Sequence, residues 1–527
     1  MDSRQPGSLF GVTAPPGFYS RLVGFILLLT ALVNAGNMVS VDPKRRLQQS
    51  RSWWTSAPEV SARGFGGGYP GKDGVPRTTF GMGHGLTLMP ADMTAAAMLG
   101  AAGRLTPLSD HVAEGAREVL VAFFSQAFIG SAAALFAYLL LRRIGFPHAP
   151  SALGVLSLLL ATTFLHYVQN CQENNLMLAC ALAGAHFIAL WLHNERPRDA
   201  ALAGAAFGYA LLIRPTTLAD TAGAMVFLFL SLRWTSARTG DAVRRLLGFA
   251  RSFLPVLAAF VLVERLYQHA RFGNWLGTYW GSIPLLGFGT GRGIFAGNFW
   301  RGIGAALWFP DSSIFLFDPL LALSLVLLAA FWKRIDPRVR ALAAGALATL
   351  AVHLCFHAKH FTPTGETAWG DRFTQTPIHL LCLLVAPLLW TAGSELSLRA
   401  RVAALALTAS SVVQQIASVL LVLGVEEKQL HNFGLQWVIP QRFVNLWLVA
   451  AGQADTSPLF SGLPPEWRRI SLLPFQLELR YPDVARWALA AWCLTLVAAL
   501  TLLARLLRQS LRTCKNPRGH SGLALWK

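Results

Sequence analysis

Mostly apolar runs, each near the length that crosses a bilayer, recur along almost the whole chain and are parted by polar gaps. A helix needs about 20 such residues to cross the hydrocarbon core. Twelve segments read as spans: 21–41, 118–141, 151–168, 175–193, 200–213, 217–232, 252–269, 314–332, 341–357, 377–393, 402–424 and 487–507. The expected fold class is an all-α polytopic membrane protein of about 12 transmembrane helices with long outer loops. The stretch 22–41 lacks a small-residue cleavage site after it, so it reads as a retained signal anchor.

The gaps alternate in character. Arg142 and Arg143, Arg196 and Arg198, the run Arg233 to Arg251, Lys333 to Arg340, Arg399 and Arg401, and a tail with Arg508, Arg512, Lys515 and Arg518 fall on one side. Basic flanks mark the cytoplasmic side, so the parity of twelve spans puts both termini there, with the protein multi-pass in a cell's inner (plasma) membrane. The other side receives long loops at about 42–117, 270–313, 359–376 and 425–486. Three regions follow: a multi-span catalytic region at 1–424, an outer loop at 425–486, and a last span with a basic cytoplasmic tail at 487–527. Within the first outer loop, Gly and Pro around 64–76 call for turns, and 87–99 for a short interfacial helix. The apolar 443–451 is too short to cross and reads as a re-entrant or interfacial segment. Tryptophans such as Trp53, Trp54, Trp275, Trp280, Trp300, Trp308 and Trp369 lie at outer span ends or in outer loops, where Trp anchors at the interface.

Composition sharpens this. Apolar residues make up 54% and charged residues 13% of 527, against about 25% charged in soluble domains. The net charge of +19 is read as topology rather than nucleic-acid binding, since no RNP, helix-turn-helix or zinc-finger spacing is present. Six cysteines form no CxxC pair, so neither a disulfide framework nor a zinc site is signalled.

Candidate chemistry gathers at the outer boundaries. Asp42, in Val41-Asp42-Pro43-Lys44-Arg45-Arg46, is either a general base for an attacking hydroxyl or a helix cap ahead of Pro43. The glycines of Gly81-Met82-Gly83-His84-Gly85 permit tight turns whose NH groups face a phosphate, but match no nucleotide fingerprint. Tyr167-Val168-Gln169-Asn170 and Gln172-Glu173-Asn174-Asn175 supply a carboxylate and amides either for sugar hydroxyls or for helix capping. Arg214, before Pro215, either binds a phosphate at headgroup depth or snorkels to lipid. Lys359 and Arg372 offer further cations, with Asp371 as a neighbour able to pair with Arg372. His353, His357 and His360 near one span end are the candidates for a metal site, without the Glu of an HExxH motif.

Together these residues resemble the GT-C class of integral-membrane glycosyltransferases, particularly bacterial relatives of the protein O-mannosyltransferases. The likeness rests on Val41-Asp42, on Phe80 to Pro90, on Gln172-Glu173-Asn174, on Leu211 to Thr216, on Phe309-Pro310 to Phe317-Asp318-Pro319, and on Trp369-Gly370-Asp371-Arg372-Phe373. The resemblance implies a GT-C-like fold and a hexosyl- or mannosyl-type enzyme that moves a sugar from a polyprenyl-phosphate carrier to a protein, lipid or glycan acceptor on the outer face. It implies that Asp42 is the catalytic base and that Arg372 and Arg214 hold the carrier phosphate. Lys359, His84, Glu173, Asn174 and Asp371 complete the expected substrate-binding set. No cofactor is called for beyond an optional divalent metal ion, for which no ligand set is assigned. The competing class is a polytopic transporter or lipid flippase, which the charged pair Glu264 and Arg265 inside the seventh span would suit.

Overall fold

The structure, a computed structural model, describes residues 8–9, 11–60, 68–105, 109–236, 238–275, 295, 297–360, 362, 364–365, 368–479 and 481–512. The glycine-rich turns at 64–67, Trp280 and the tail residues Lys515 and Arg518 lie outside them.

The described chain is nearly all helix. Its two small hairpins pair β1 (Ser8–Leu9) with β2 (Val12–Thr13) and β3 (Tyr69–Pro70) with β4 (Pro76–Arg77). The helices run α1 (Phe18–Val33), α2 (Val41–Ser52), α3 (Met82–Leu105), α4 (Asp110–Arg143), α5 (His148–Leu160), α6 (Phe164–Asn170) and α7 (Asn174–Asn194). Then come α8 (Pro197–Ile213), α9 (Leu218–Thr235), α10 (Thr239–Phe272), α11 (Phe299–Trp308), α12 (Ile314–Phe317), α13 (Pro319–Phe331) and α14 (Pro337–His357). The last are α15 (Gln375–Cys382), α16 (Val385–Ala392), α17 (Leu398–Leu420), α18 (Gly424–Phe433), α19 (Val438–Ala450), α20 (Leu473–Glu478) and α21 (Pro482–Arg512).

Every predicted span falls on a helix or on two consecutive helices. Among the described residues, 8 segments are long and apolar enough to cross alone, and the pair α5–α6, bent by 51°, makes up to 9. The other three expected spans fall on α1, α13 and the 17-residue α8, which are shorter than the length required to cross alone. The first span stops at Val33, because Asn34 turns extended and Gly36 adopts a left-handed φ of 77°.

Sidedness of burial identifies the solvent. Helix α7 is apolar all round and 89% buried over its span, so it is the bundle's centre, packed by α4, α8, α9 and α15. Helices α10 and α21 are only 11% and 6% buried, yet they turn Leu254, Leu262, Leu494 and Val497 outward. Such continuous exposed apolar faces fit lipid, not water. At 1.5 Å per residue the 34 residues of α10 run about 51 Å, well beyond a core of about 30 Å. Its far end docks on the stretch between α2 and α3, where Arg271 Nη2 donates to Thr78 O at 2.7 Å and pairs with Glu59. Glu264 and Arg265, two turns earlier, pair with each other.

One expectation is corrected. The Gly81–Gly85 stretch is not a run of tight turns; it opens the 24-residue helix α3, longer than the short helix expected over 87–99. Within 425–486, α18 and α19 pack around buried Arg442, which bonds Glu426 at 2.7 Å and Leu421 O at 2.5 Å.

Candidate active site

Asp42 lies in the first turn of α2, whose N-cap is Ser40. It is therefore not the cap that Pro43 suggested. A carboxylate in a first turn is favoured by the helix dipole, and its side chain is left to point away from the helix start. Asp42 Oδ2 accepts from Arg372 Nη1 at 3.2 Å, across 330 residues of sequence. Both side chains stay partly open, at 26% and 20% exposure.

One turn on, Arg46 reaches Glu173 at 2.7 Å and lies over the Phe80 ring at 4.1 Å. Glu173 occupies the break between α6 and α7, just after Cys171 takes a left-handed φ of 56°. Its other oxygen is 3.4 Å from Arg214. Arg214 ends α8 in an extended conformation, φ −154° and ψ 125°; the following Pro215 disfavours helical geometry there and so swings the side chain off the helix axis. Arg214 and Arg372 both lie on the Phe373 ring, at 5.1 and 5.4 Å.

Glycines bring the parts together. A Cβ on Gly81 would sit 2.3 Å from Leu212 O, and one on Gly83 2.8 Å from Ile213 N, so α3 abuts the end of α8 directly. This contact buries His84 beside Arg46 and Glu173. Burial, helped by Arg46, pushes the His84 imidazole down to about 3, so it is neutral at physiological pH. Gly365, at φ 78°, lets the chain fold back on Arg372: Arg372 N donates to Thr364 O at 3.1 Å, and a Cβ on Gly365 would meet Arg372 Nε at 2.5 Å.

Electrostatics favour an anionic guest. Burial works to raise the Glu173 carboxyl, but Arg46, Arg214 and Arg372 together hold it well below the usual carboxylate range. Burial also opposes charge on Arg372, yet Asp42 and Glu173 keep its guanidinium above its ordinary range. Three guanidiniums against two carboxylates leave one positive charge over. A partly open cation of this kind binds phosphate by charge-assisted hydrogen bonds.

The remaining candidates divide. Asn174 does not face the open cluster; its amide donates to Arg372 O at 2.6 Å and anchors that loop. Asp371 does not pair with Arg372. It turns inward to accept from Phe373 N at 2.8 Å, and burial raises its carboxyl to about 7. Lys359 stands exposed near the end of α14, outside the buried network. The rings of His353 and His357 stack in parallel at 5.7 Å rather than converge, and among the described residues no group of three or more His, Cys, Asp or Glu is placed to hold a metal ion.

Arg46 joins the cluster without having been among the candidates read from single segments; its position one turn after Asp42 is the signal that could have found it. Phe373, the shared platform for two guanidiniums, carried none beyond its place next to Arg372.

Residues 114–258, which include Glu173, Asn174 and Arg214, match the family model described as dolichyl-phosphate-mannose-protein mannosyltransferase. The apo oligosaccharyltransferase of Archaeoglobus fulgidus is similar over 77% of this chain and 56% of its own, at 13% identity and a TM-score of 0.47. Its form tethered to an acceptor peptide containing the NVT sequon is similar over 77% and 55%, at 14% identity and a TM-score of 0.44. The chain thus spans little more than half the length of those structures. No curated protein matches it. The family match is confined to residues 114–258, and among the described residues several helices are long and apolar enough to cross a membrane.

Proposed function

We propose that the chain moves a sugar, of hexosyl or mannosyl type, from a polyprenyl-phosphate carrier to an acceptor hydroxyl at the outer membrane face. The observation that carries the reading is the Asp42–Arg372 contact, with Arg214 on the same phenylalanine ring. In this mechanism the acceptor oxygen attacks the anomeric carbon while Asp42 takes its proton. The bond from that carbon to the phosphate oxygen breaks, and the carrier phosphate leaves with the electron pair. Arg372 and Arg214 stabilise the growing negative charge, and Glu173, backed by Arg46, holds Arg214 in place. Attack opposite the leaving phosphate inverts the anomeric configuration. Because a lipid-borne donor arrives within the bilayer, no nucleotide-binding domain is needed.

The mannosyl assignment draws on the description of the matching family. The plasma membrane, cytoplasmic termini and the division at 424 and 486 belong to the same proposal, supported by the basic flanks. Asp42→Asn tests it: turnover of polyprenyl-phosphate mannose should fall by about 10²–10⁴-fold, the usual worth of a general base, with binding of polyprenyl phosphate retained. Turnover at the normal rate would remove Asp42 from the chemistry.

A further inference from the structure

Behind the loop that carries Arg372 lies a cavity of about 510 Å³, walled by Thr364 and Gly365 on one side and by α18 and Trp467 on the other. Its size falls in the range of small-molecule sites, about 300–1,000 Å³. Gly365 belongs to both places, because it lines this cavity and packs against the Arg372 side chain. One short stretch of loop therefore separates the cavity from the Asp42–Arg372 pair.

The two sides of that loop differ in charge. On the Asp42 side guanidiniums are in excess. The cavity is lined by Asp311, which accepts from Ser312 Oγ at 3.0 Å, by Glu426, which is matched by buried Arg442, and by Glu427 and Lys428. No arginine is among its described lining residues, so it lacks the forked cation that suits the donor's phosphate headgroup. What it offers is carboxylate, hydroxyl and imidazole groups (Asp311, Glu427, Ser312, His431) beside the Trp467 indole. Carboxylates accept hydrogen bonds from sugar hydroxyls, and an aromatic face covers the apolar C–H side of a pyranose ring. The back wall is rigid. Arg442 lies 5.0 Å over Trp369, which is fully buried and edge-on to Phe317, and Asn445 bonds Glu426 at 2.7 Å. Trp467 packs so closely on Gly424 that a Cβ there would lie 2.4 Å from the ring.

We infer that this cavity is the acceptor site and that the acceptor is a neutral, hydroxyl-rich glycan, whose end passes the Thr364–Gly365 wall to reach Asp42. The inference rests on the sugar-transfer reading and adds to it the class of acceptor.

The test uses the full chain in nanodiscs with labelled polyprenyl-phosphate mannose, and offers either a neutral hexose trisaccharide or a Ser/Thr-rich peptide. Label should enter the trisaccharide. Asp311→Asn combined with Glu427→Gln should raise KM for the trisaccharide about 10–100-fold, the scale of losing hydrogen bonds to charged groups. Binding of polyprenyl phosphate should be unchanged. Trp467→Phe, which keeps a ring in place, should raise the same KM less than Trp467→Ala. Label entering the peptide and not the trisaccharide overturns the glycan assignment, and a trisaccharide KM indifferent to all three variants overturns the site. Donor consumed with no label in either acceptor overturns the glycan assignment while sparing the transfer reading. Failure to bind or consume the donor at all sinks the transfer reading itself, and this inference with it.

Discussion

Glutamate 173 is the residue on which the geometry of the cluster turns, and its replacement by glutamine can be worked through from the contacts. Its carboxylate is 4% exposed and is shared between Arg46 at 2.7 Å and Arg214 at 3.4 Å. Arg46 is itself 5% exposed, so removing the negative charge leaves a buried guanidinium without its counter-ion. Breaking one partner of such a pair costs about 3–5 kcal/mol, a factor of about a hundred or more in the unfolding equilibrium. An exposed pair would cost about 0–1 kcal/mol. The assay is reversible unfolding in mixed micelles, read alongside polyprenyl-phosphate binding. Glu173→Gln should fall in the larger range. Adding Arg46→Met removes the stranded charge and should restore much of the stability, a coupling that a double-mutant cycle reads directly. Phosphate binding should stay weakened in the double variant, because Arg214 has still lost its anchor. A single variant that costs less than about 1 kcal/mol would mean that the network is not a buried one. Full recovery of binding in the double variant would mean that Glu173 does not position Arg214.

Three further outcomes are expected. Arg372→Ala should weaken polyprenyl-phosphate binding by about 1.5–3 kcal/mol, the worth of a hydrogen bond to a charged group, measured by titration in nanodiscs. Gly83→Leu should be destabilising by about 1–3 kcal/mol through overpacking, and should lower turnover as well, since the end of α8 that it displaces bears Arg214; thermal unfolding and donor turnover check both. The Asp371 carboxyl, raised from 3.8 to about 7 in the folded protein, binds its proton more tightly folded than unfolded. Its contribution to stability is therefore full below about pH 4 and is lost as pH rises through about 7; Asp371→Asn should flatten stability against pH across that window.

Hydrophobic spacing alone determined the class of fold, because a bilayer demands helices of fixed length and the chain writes that length repeatedly. The same spacing could not register breaks inside apolar runs. The bend between α5 and α6 is held by Asp318, whose oxygens accept from Thr163 N and Thr163 Oγ1 at 2.8 Å; that partner is 155 residues away, and no local pattern encodes it. The candidate residues were legible by type and by their place at outer boundaries, so Asp42, Arg214, Arg372 and Glu173 could be named. Their division of labour was not. Asp42 and Asp371 look alike in sequence, an acid beside a Pro-Lys or an Arg, yet one turns to a guanidinium and the other inward to a backbone NH. The glycines of Gly81–Gly85 looked like a loop until α8 was packed against them. Helix formation depends on neighbours a turn away, but the meeting of a carboxylate with its guanidinium depends on how whole helices dock, and only the tertiary structure decides that.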